Sequence, residues 1–253
     1  MVMADDKISG VEASAIDILK RAVELDKNRR FEESLTCYQE GVGLLMQVHK
    51  AITDAAKKLR YREKLQEYLV RAEDLKAFLK EEKEASKKVE RIQIEADSTG
   101  HSYETLFGHY FNKYVTEVEV DDPYIRKDHQ IDNFIRLCEL IVGKKIPVKT
   151  VTLTTSKDPN PNNSLTQHDK LLIVGRSLFS HGIELKIKYS DTLHDREIRL
   201  NTGWVIKIGR GLDYFKVCDR FNIGFCDLNL RKCHETTVDI FHQGSVRATT
   251  STS

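Results

Sequence analysis

Ninety residues without a proline open this chain, and within them apolar side chains recur at helical spacing. Ala15, Ile18, Leu19, Ala22 and Val23 form one series. Leu35, Tyr38, Val42, Leu45 and Met46 form a second; Leu65, Leu69, Ala72, Leu75, Ala77, Phe78 and Leu79 form a third. Residues three and four apart share a helix face, so each series is a stripe that must be covered by a neighbour. Polar breaks at 26–30 and near 51–56 divide the segment into three expected helices, at 9–27, 31–50 and 55–84. Connections this short make successive helices antiparallel, which gives a small three-helix bundle. Its 18 basic and 18 acidic residues are intermixed, so its surface carries no single sign.

The charged stretch "EEKEASKKVER" (81–91) reads as a solvated helix end running into a linker. Beyond it the periodicity changes. "VTEVEV" (115–120), "IPVKTVTLTTS" (146–156), "IELKIKYS" (183–190), "REIRL" (196–200) and "WVIKIG" (204–209) alternate like strands. The segments 128–143 and 165–182 have helical spacing, and Gly182 suits a left-handed helix cap. Strands interleaved with helices, then a run of adjacent strands, predict an α/β domain with a mixed sheet. The expected organisation is therefore a bundle at 8–86, a linker at 87–95, an α/β domain at 96–244 and a disordered tail at 245–253.

Charge excludes one large class of function. Forty basic against 39 acidic residues leave a net charge of +1, and residues 91–253 carry 22 against 21. Nucleic-acid binding domains are usually net basic, and this one is not. Cys37, Cys138, Cys218, Cys226 and Cys233 are odd in number and scattered, which fits reduced thiols of an intracellular protein. No apolar run approaches the ~18 residues that span a bilayer, so membrane contact is expected to be peripheral. The sequence holds no cofactor motif: "GRG" (209–211) lacks the continuation of a phosphate loop. Cys226, Cys233, His234 and His242 match no common zinc spacing, and no metal site is expected.

"AIDILKRAVELDKNRRFEESLTCYQEGVGLLMQ" and "YLVRAEDLKAFL" together resemble the MIT domain, the microtubule-interacting-and-trafficking module, over about 75 residues. The likeness rests on Ala22 and Asp26, Phe31, the "CYQEG" of the second helix and the pattern of the third. It implies a groove between helices 2 and 3 that holds a short helix from the C-terminal tail of an ESCRT-III subunit, a charged multivesicular body protein. Leu69 would then be a floor residue and Glu73 the acidic partner of a basic ligand side chain, with Tyr68 and Ala72 nearby. Val70 departs from the family pattern, in which this slot is often acidic. Spacing alone leaves another reading open: Leu69 and Ala72 can pack the bundle, and Glu73 can pair with Lys76.

"HDREIRLN" (194–201) resembles a phospholipase D motif, His-x-Lys-x4-Asp, with lysine changed to Arg196 and aspartate to Asn201. "DDPYI" and "HGIELKIKYS" add to the likeness, which extends over about 92–243. In that superfamily one histidine attacks phosphorus, another protonates the leaving group, and the lysines hold phosphate oxygens. Arg196 keeps the capacity to grip phosphate, whereas an asparagine cannot stabilise an imidazolium by charge; the analogous change in a protease triad costs about 10⁴-fold in turnover. His168 and Lys170 repeat the spacing, but Gly175 stands in the aspartate slot and the segment reads as a helix.

The two resemblances in this order imply a non-enzymatic ESCRT-III adaptor acting in cytokinetic abscission, at the midbody and the late endosome membrane, with a homodimer expected. The second domain would bind acidic phospholipid, phosphoinositide among them, through Lys186, Lys188, His194, Arg196, Lys207 and Arg210. The alternative is a dimeric phosphodiesterase of the phospholipase D superfamily using His194. Trp204, the sole tryptophan, is read as a core residue or an interfacial anchor.

Overall fold

The computed structural model describes residues 2–85, 89–160 and 165–243. Contacts divide the chain into two compact units, Met1–Ala85 and Ser86–Ser253. The expected tail at 245–253 lies outside the described residues.

The first unit has three helices: α1 (Val2–Lys27), α2 (Phe31–Ala51) and α3 (Ala55–Ala85). Each buries the centre of the stripe read from the sequence, while Met46 and Ala77 at its margins are exposed. Ala15, Leu19 and Ala22 of α1, Tyr38, Val42 and Leu45 of α2, and Leu65, Ala72 and Leu75 of α3 form the core. Gly41 lets α2 approach α1, because a Cβ there would lie 2.7 Å from the Leu19 side chain. One polar knot ties all three helices. Arg71 of α3 makes two 2.7 Å hydrogen bonds to the Asp26 carboxylate, and the Tyr38 hydroxyl reaches Asp26 at 3.3 Å. Burial, then the Asp26 charge, pushes the Tyr38 hydroxyl up to about 12, so it stays a donor at neutral pH. Phe31 meets Phe78 edge to face at 5.5 Å. The Ala-x-x-x-Asp turn and the arginine of "YLVRAEDLKAFL" are thus two halves of one interaction.

The second unit is built on a seven-stranded sheet: β1 (Val89–Ile94), β2 (Glu117–Asp121), β3 (Thr150–Thr155), β4 (Glu184–Tyr189), β5 (Glu197–Leu200), β6 (Trp204–Ile208) and β7 (Thr236–His242). Their order is β1-β7-β6-β5-β2-β3-β4. β2, β3 and β4 are parallel and the other pairings antiparallel, which is the mixed sheet expected. Helices α4 (Tyr103–Phe107), α5 (Asp128–Gly143) and α6 (Gln167–Ser180) complete the unit, α5 and α6 as the two crossovers of the parallel strands. Val118, Val120, Val151 and Leu153 of the sheet and Phe134, Leu137, Ile141 and Leu171 of those helices are buried.

Two strands were not expected. The supposed linker at 87–95 contains β1, which pairs with β7 along its whole length; residues 86–88 lie outside the described set. Charged side chains on an edge strand such as β1 are the usual defence against edge-to-edge pairing, and they hide its alternation. Arg91 on β1 meets Asp239 on β7 at 2.6 Å. Trp204 is a core residue, 9% exposed, between Tyr110 and His242.

Candidate functional site

On α3 the four residues singled out from the sequence separate. Ala72 is buried at 8% exposure, Tyr68 and Leu69 are half-buried, and Glu73 is exposed. Tyr68 lines a cavity of about 310 Å³ with Ile16, Leu19 and Lys20 of α1, Leu45 of α2, and Arg60, Tyr61 and Lys64 of its own helix. Helical spacing sets Leu69 and Glu73 on the opposite flank of α3. Leu69 and Glu73 can therefore serve one groove together, whereas Tyr68 belongs to the α1 side and Ala72 to the core. Val70, 54% exposed, sits further round with Leu59 and Gln66 over a shallow depression.

In the second unit, strand direction assembles one end of the sheet. Asp121 at the end of β2 pairs with Glu197 at the start of β5, and Glu197 pairs with Lys207 near the end of β6. The segments after β2, β3, β4 and β6 and the one before β5 therefore converge there. Arg196 is half-buried at this end. It donates to the Gly209 carbonyl at 2.9 Å and lies 4.3 Å from the centre of the Tyr124 ring. Arg126 lies 5.0 Å from the same ring and donates to the Pro123 carbonyl. A half-exposed tyrosine stacked with two guanidinium groups leaves several N–H donors turned outward, a geometry suited to anions. Arg210, exposed, follows two residues after β6.

Beneath these cations Asp122 is 2% exposed and accepts the backbone N–H groups of Leu212 and Tyr124 at 3.0 Å. Burial raises its pKa, against the pull of those two bonds and of the Arg196 charge. Its partner segment is fixed by Gly211, whose φ of 65° and 2.1 Å from a virtual Cβ to Asp122 Oδ2 admit no side chain. Burial, then Arg210 and Lys216, lower the His234 pKa.

The five cations and His194 named from the sequence do not form one site. Register places Lys186, Lys188 and Lys207 on the open face of the sheet, in the rows Thr152–Lys186 and Lys207–Glu197–Asp121–Thr154–Lys188. Lys186 and Lys188 are exposed on the edge strand β4, and Lys186 pairs with Glu184 at 3.6 Å. Lys207 is held by Glu197 at 3.2 Å and Asp195 at 3.6 Å. At the centre of that face Arg199 bridges Glu119, Asp121 and Glu197. Burial alone would lower its pKa; the hydrogen bonds it donates to the three carboxylates override this and hold it above its ordinary value. The centre of the open face is a ladder of paired charges, and Arg196 points away from it.

Asn201 corrects the sequence expectation most directly. Its side-chain oxygen accepts the backbone N–H groups of Thr116 and Glu117 at 2.9 and 3.1 Å. These bonds lock the far end of β5 to β2, with the whole strand between Asn201 and His194. The position that a phospholipase D motif uses to orient an imidazole is here a structural clamp. His194 is exposed, and no hydrogen bond to its ring is found among the described residues. His168, on α6, bonds the Tyr189 hydroxyl at 3.1 Å. The supposed zinc ligands are dispersed: Cys233 is buried, Cys226 is exposed, and His242 donates to the Thr202 carbonyl at 2.8 Å.

Sequence reasoning did not single out Tyr124 and Arg126, which the structure brings together with Arg196. The signal was present in "DDPYIR": a strand ending at a proline, then an aromatic and a cation.

Comparison with known proteins agrees with both halves of this architecture. Residues 12–77 match the MIT (microtubule interacting and transport) domain. Residues 100–242 match the phospholipase D-like domain at the C-terminus of MIT. A mouse (Mus musculus) protein, MIT domain-containing protein 1, is 50% identical over 230 residues, 90% of this chain and 92% of the mouse protein.

Proposed function

Because the chain belongs to the family that joins an MIT domain to a C-terminal phospholipase D-like domain, we propose that it is a non-enzymatic adaptor. Its first unit docks ESCRT-III tail helices and its second grips acidic phospholipid. Arg196 stacked on Tyr124, with Asn201 engaged elsewhere, is the observation that carries the reading. The cation of the old motif persists at Arg196, and no hydrogen bond to the His194 ring is found among the described residues. Phosphate binding needs only the cation; hydrolysis needs an oriented imidazole as well.

In the first unit Leu69 offers apolar area and Glu73 a charge on one flank of α3, the pairing that helix-in-groove recognition uses. A tail helix held at micromolar strength gains about −8 kcal/mol. A second contact on the same membrane, and pairing of two copies, raise residence through effective concentration. Action in cytokinetic abscission, at the midbody and late endosome, is the part of the proposal that rests on resemblance alone.

Two titrations test it. Leu69→Asp is expected to abolish binding of an ESCRT-III tail peptide with the helical signal intact. Arg196→Glu with Arg210→Glu is expected to weaken sedimentation with phosphatidylserine vesicles. Equal sedimentation of the wild type with neutral and acidic vesicles would refute the lipid half. The phosphodiesterase alternative requires turnover of a chromogenic phosphodiester that His194→Ala removes; a silent wild type eliminates it.

A further inference from the structure

After Arg210 and Asp213 the chain leaves the same end of the sheet as a narrow ribbon. Phe215 bridges Cys233 antiparallel, and Lys216 donates its N–H to the Lys232 carbonyl. Beyond that rung Val217, Phe221 and Ile223 are 95%, 96% and 84% exposed, the barest large apolar side chains among the described residues. The ribbon is held firmly at its base. The Arg231 side chain, 8% exposed, donates to the Gly224 carbonyl at 2.7 Å and to the Phe225 carbonyl. Turns bond Asn222 to Asp219 and Phe225 to Asn222. Gly224, at φ 95°, lets its backbone close on Leu230, where a Cβ would lie 2.8 Å from the carbonyl oxygen. A buried arginine thus braces a loop whose tip meets only solvent. From 216 to 232 the ribbon carries Lys216, Arg220, Arg231 and Lys232 against Asp219 and Asp227.

We propose that this ribbon is a membrane-insertion element, in which Phe221, Ile223 and Val217 enter the boundary between headgroups and acyl chains while Arg220 stays among anionic headgroups. The proposal rests on the lipid-binding reading above and adds the apolar half of the contact. Three features favour a bilayer over a protein. Three protruding side chains expose roughly 500 Å², short of the ~800 Å² per partner of a stable protein interface. They stand on a narrow tip, which enters a soft apolar medium better than it matches a surface. Asp97 holds Lys216 and Lys232 at the base of the ribbon, at 2.9 and 3.8 Å, so Arg220 near the tip and Arg210 of the anion site supply the charge, and stable peripheral anchoring takes two such signals, apolar and electrostatic.

The test uses the full chain with vesicles of phosphatidylcholine and phosphatidylserine, and of phosphatidylcholine alone. Phe221→Ser with Ile223→Ser is expected to lower partition into the mixed vesicles at least tenfold with an unchanged melting midpoint, since neither side chain packs in the free protein. Emission of the Phe221→Trp variant is expected to move to the blue on vesicle addition and to be quenched by brominated acyl chains, above the signal of the core residue Trp204. Wild-type binding to mixed vesicles with unmoved emission, and undiminished binding of the double serine variant, would overturn the ribbon and leave the lipid site standing. Wild type that binds neither vesicle would remove the lipid reading itself. Vesicle binding retained by the serine variant, with a smaller sedimenting species, would assign the ribbon to contact with a second copy of this chain and overturn the proposal.

Discussion

Replacing Arg199 with methionine removes the cation from the centre of the open sheet face and leaves its three carboxylates in place. The Asp121 and Glu197 side chains are 11% and 10% exposed, while Glu119 is 51% exposed and solvated. Removing one partner from a buried ion pair costs about 3–5 kcal/mol. Arg199 itself is 28% exposed and Glu197 keeps Lys207 at 3.2 Å, so water and that second cation reduce the cost to roughly 2–3 kcal/mol. For a unit of this size each kcal/mol lowers the melting temperature by about 2–4 °C. The expected loss is therefore on the order of 4–12 °C, read by differential scanning calorimetry of the full chain as a shift of one transition. Below its transition the variant is expected to sediment with acidic vesicles as wild type does, because Arg199 faces the ladder and not Tyr124. A melting temperature within about 1 °C of wild type would refute the treatment of this face as a desolvated charge cluster. Lost vesicle binding by folded variant would return the open face to the lipid site.

Two further perturbations probe the frame around the sites. Gly211→Ala puts a methyl 2.1 Å from Asp122 Oδ2 at a φ of 65°, and strain plus clash are expected to cost about 2–4 kcal/mol in a chemical denaturation series; an unchanged midpoint would mean the turn after β6 relaxes freely. In the bundle, the Tyr61 hydroxyl and Lys57 bind Glu12, and the Tyr61 bond is the first cause of a lowered Glu12 pKa. A lowered carboxyl pKa contributes stability that is fully present above the unfolded value, about 4.3, and fades as pH falls through the folded one. Urea titrations by helical circular dichroism at falling pH are expected to show that Glu12→Gln lacks this component, well under ~1 kcal/mol at so open a site; an identical acid response in both proteins would remove it.

Helices were legible because a periodic stripe over twenty residues leaves few alternatives, and Ala22, Asp26 and Arg71 had a motif as well. The mixed sheet was legible from alternation in β3, β4 and β6. β1 was not, since an edge strand needs only one covered face and "VERIQI" spends its other positions on charge. Sequence also grouped Lys186, Lys188, His194, Arg196, Lys207 and Arg210 as one site, with faces known only within each strand. Lys207 and Arg210 are three apart, yet one lies in the charge ladder and the other beyond the strand. Only pairing register tells them apart, and register is a property of the partner strand.

Asn201 shows why a motif can persist in letters while its chemistry departs. An aspartate and an asparagine each present a side-chain oxygen that could accept from Thr116 and Glu117 N–H, so the clamp between β2 and β5 tolerates either as an acceptor. Position 201 lies a whole strand away from His194, so in this fold neither side chain would reach that imidazole. Arg196 answers to a different demand, because it stacks on Tyr124 and donates to the Gly209 carbonyl, with the Asp122 carboxyl close enough below to feel its charge.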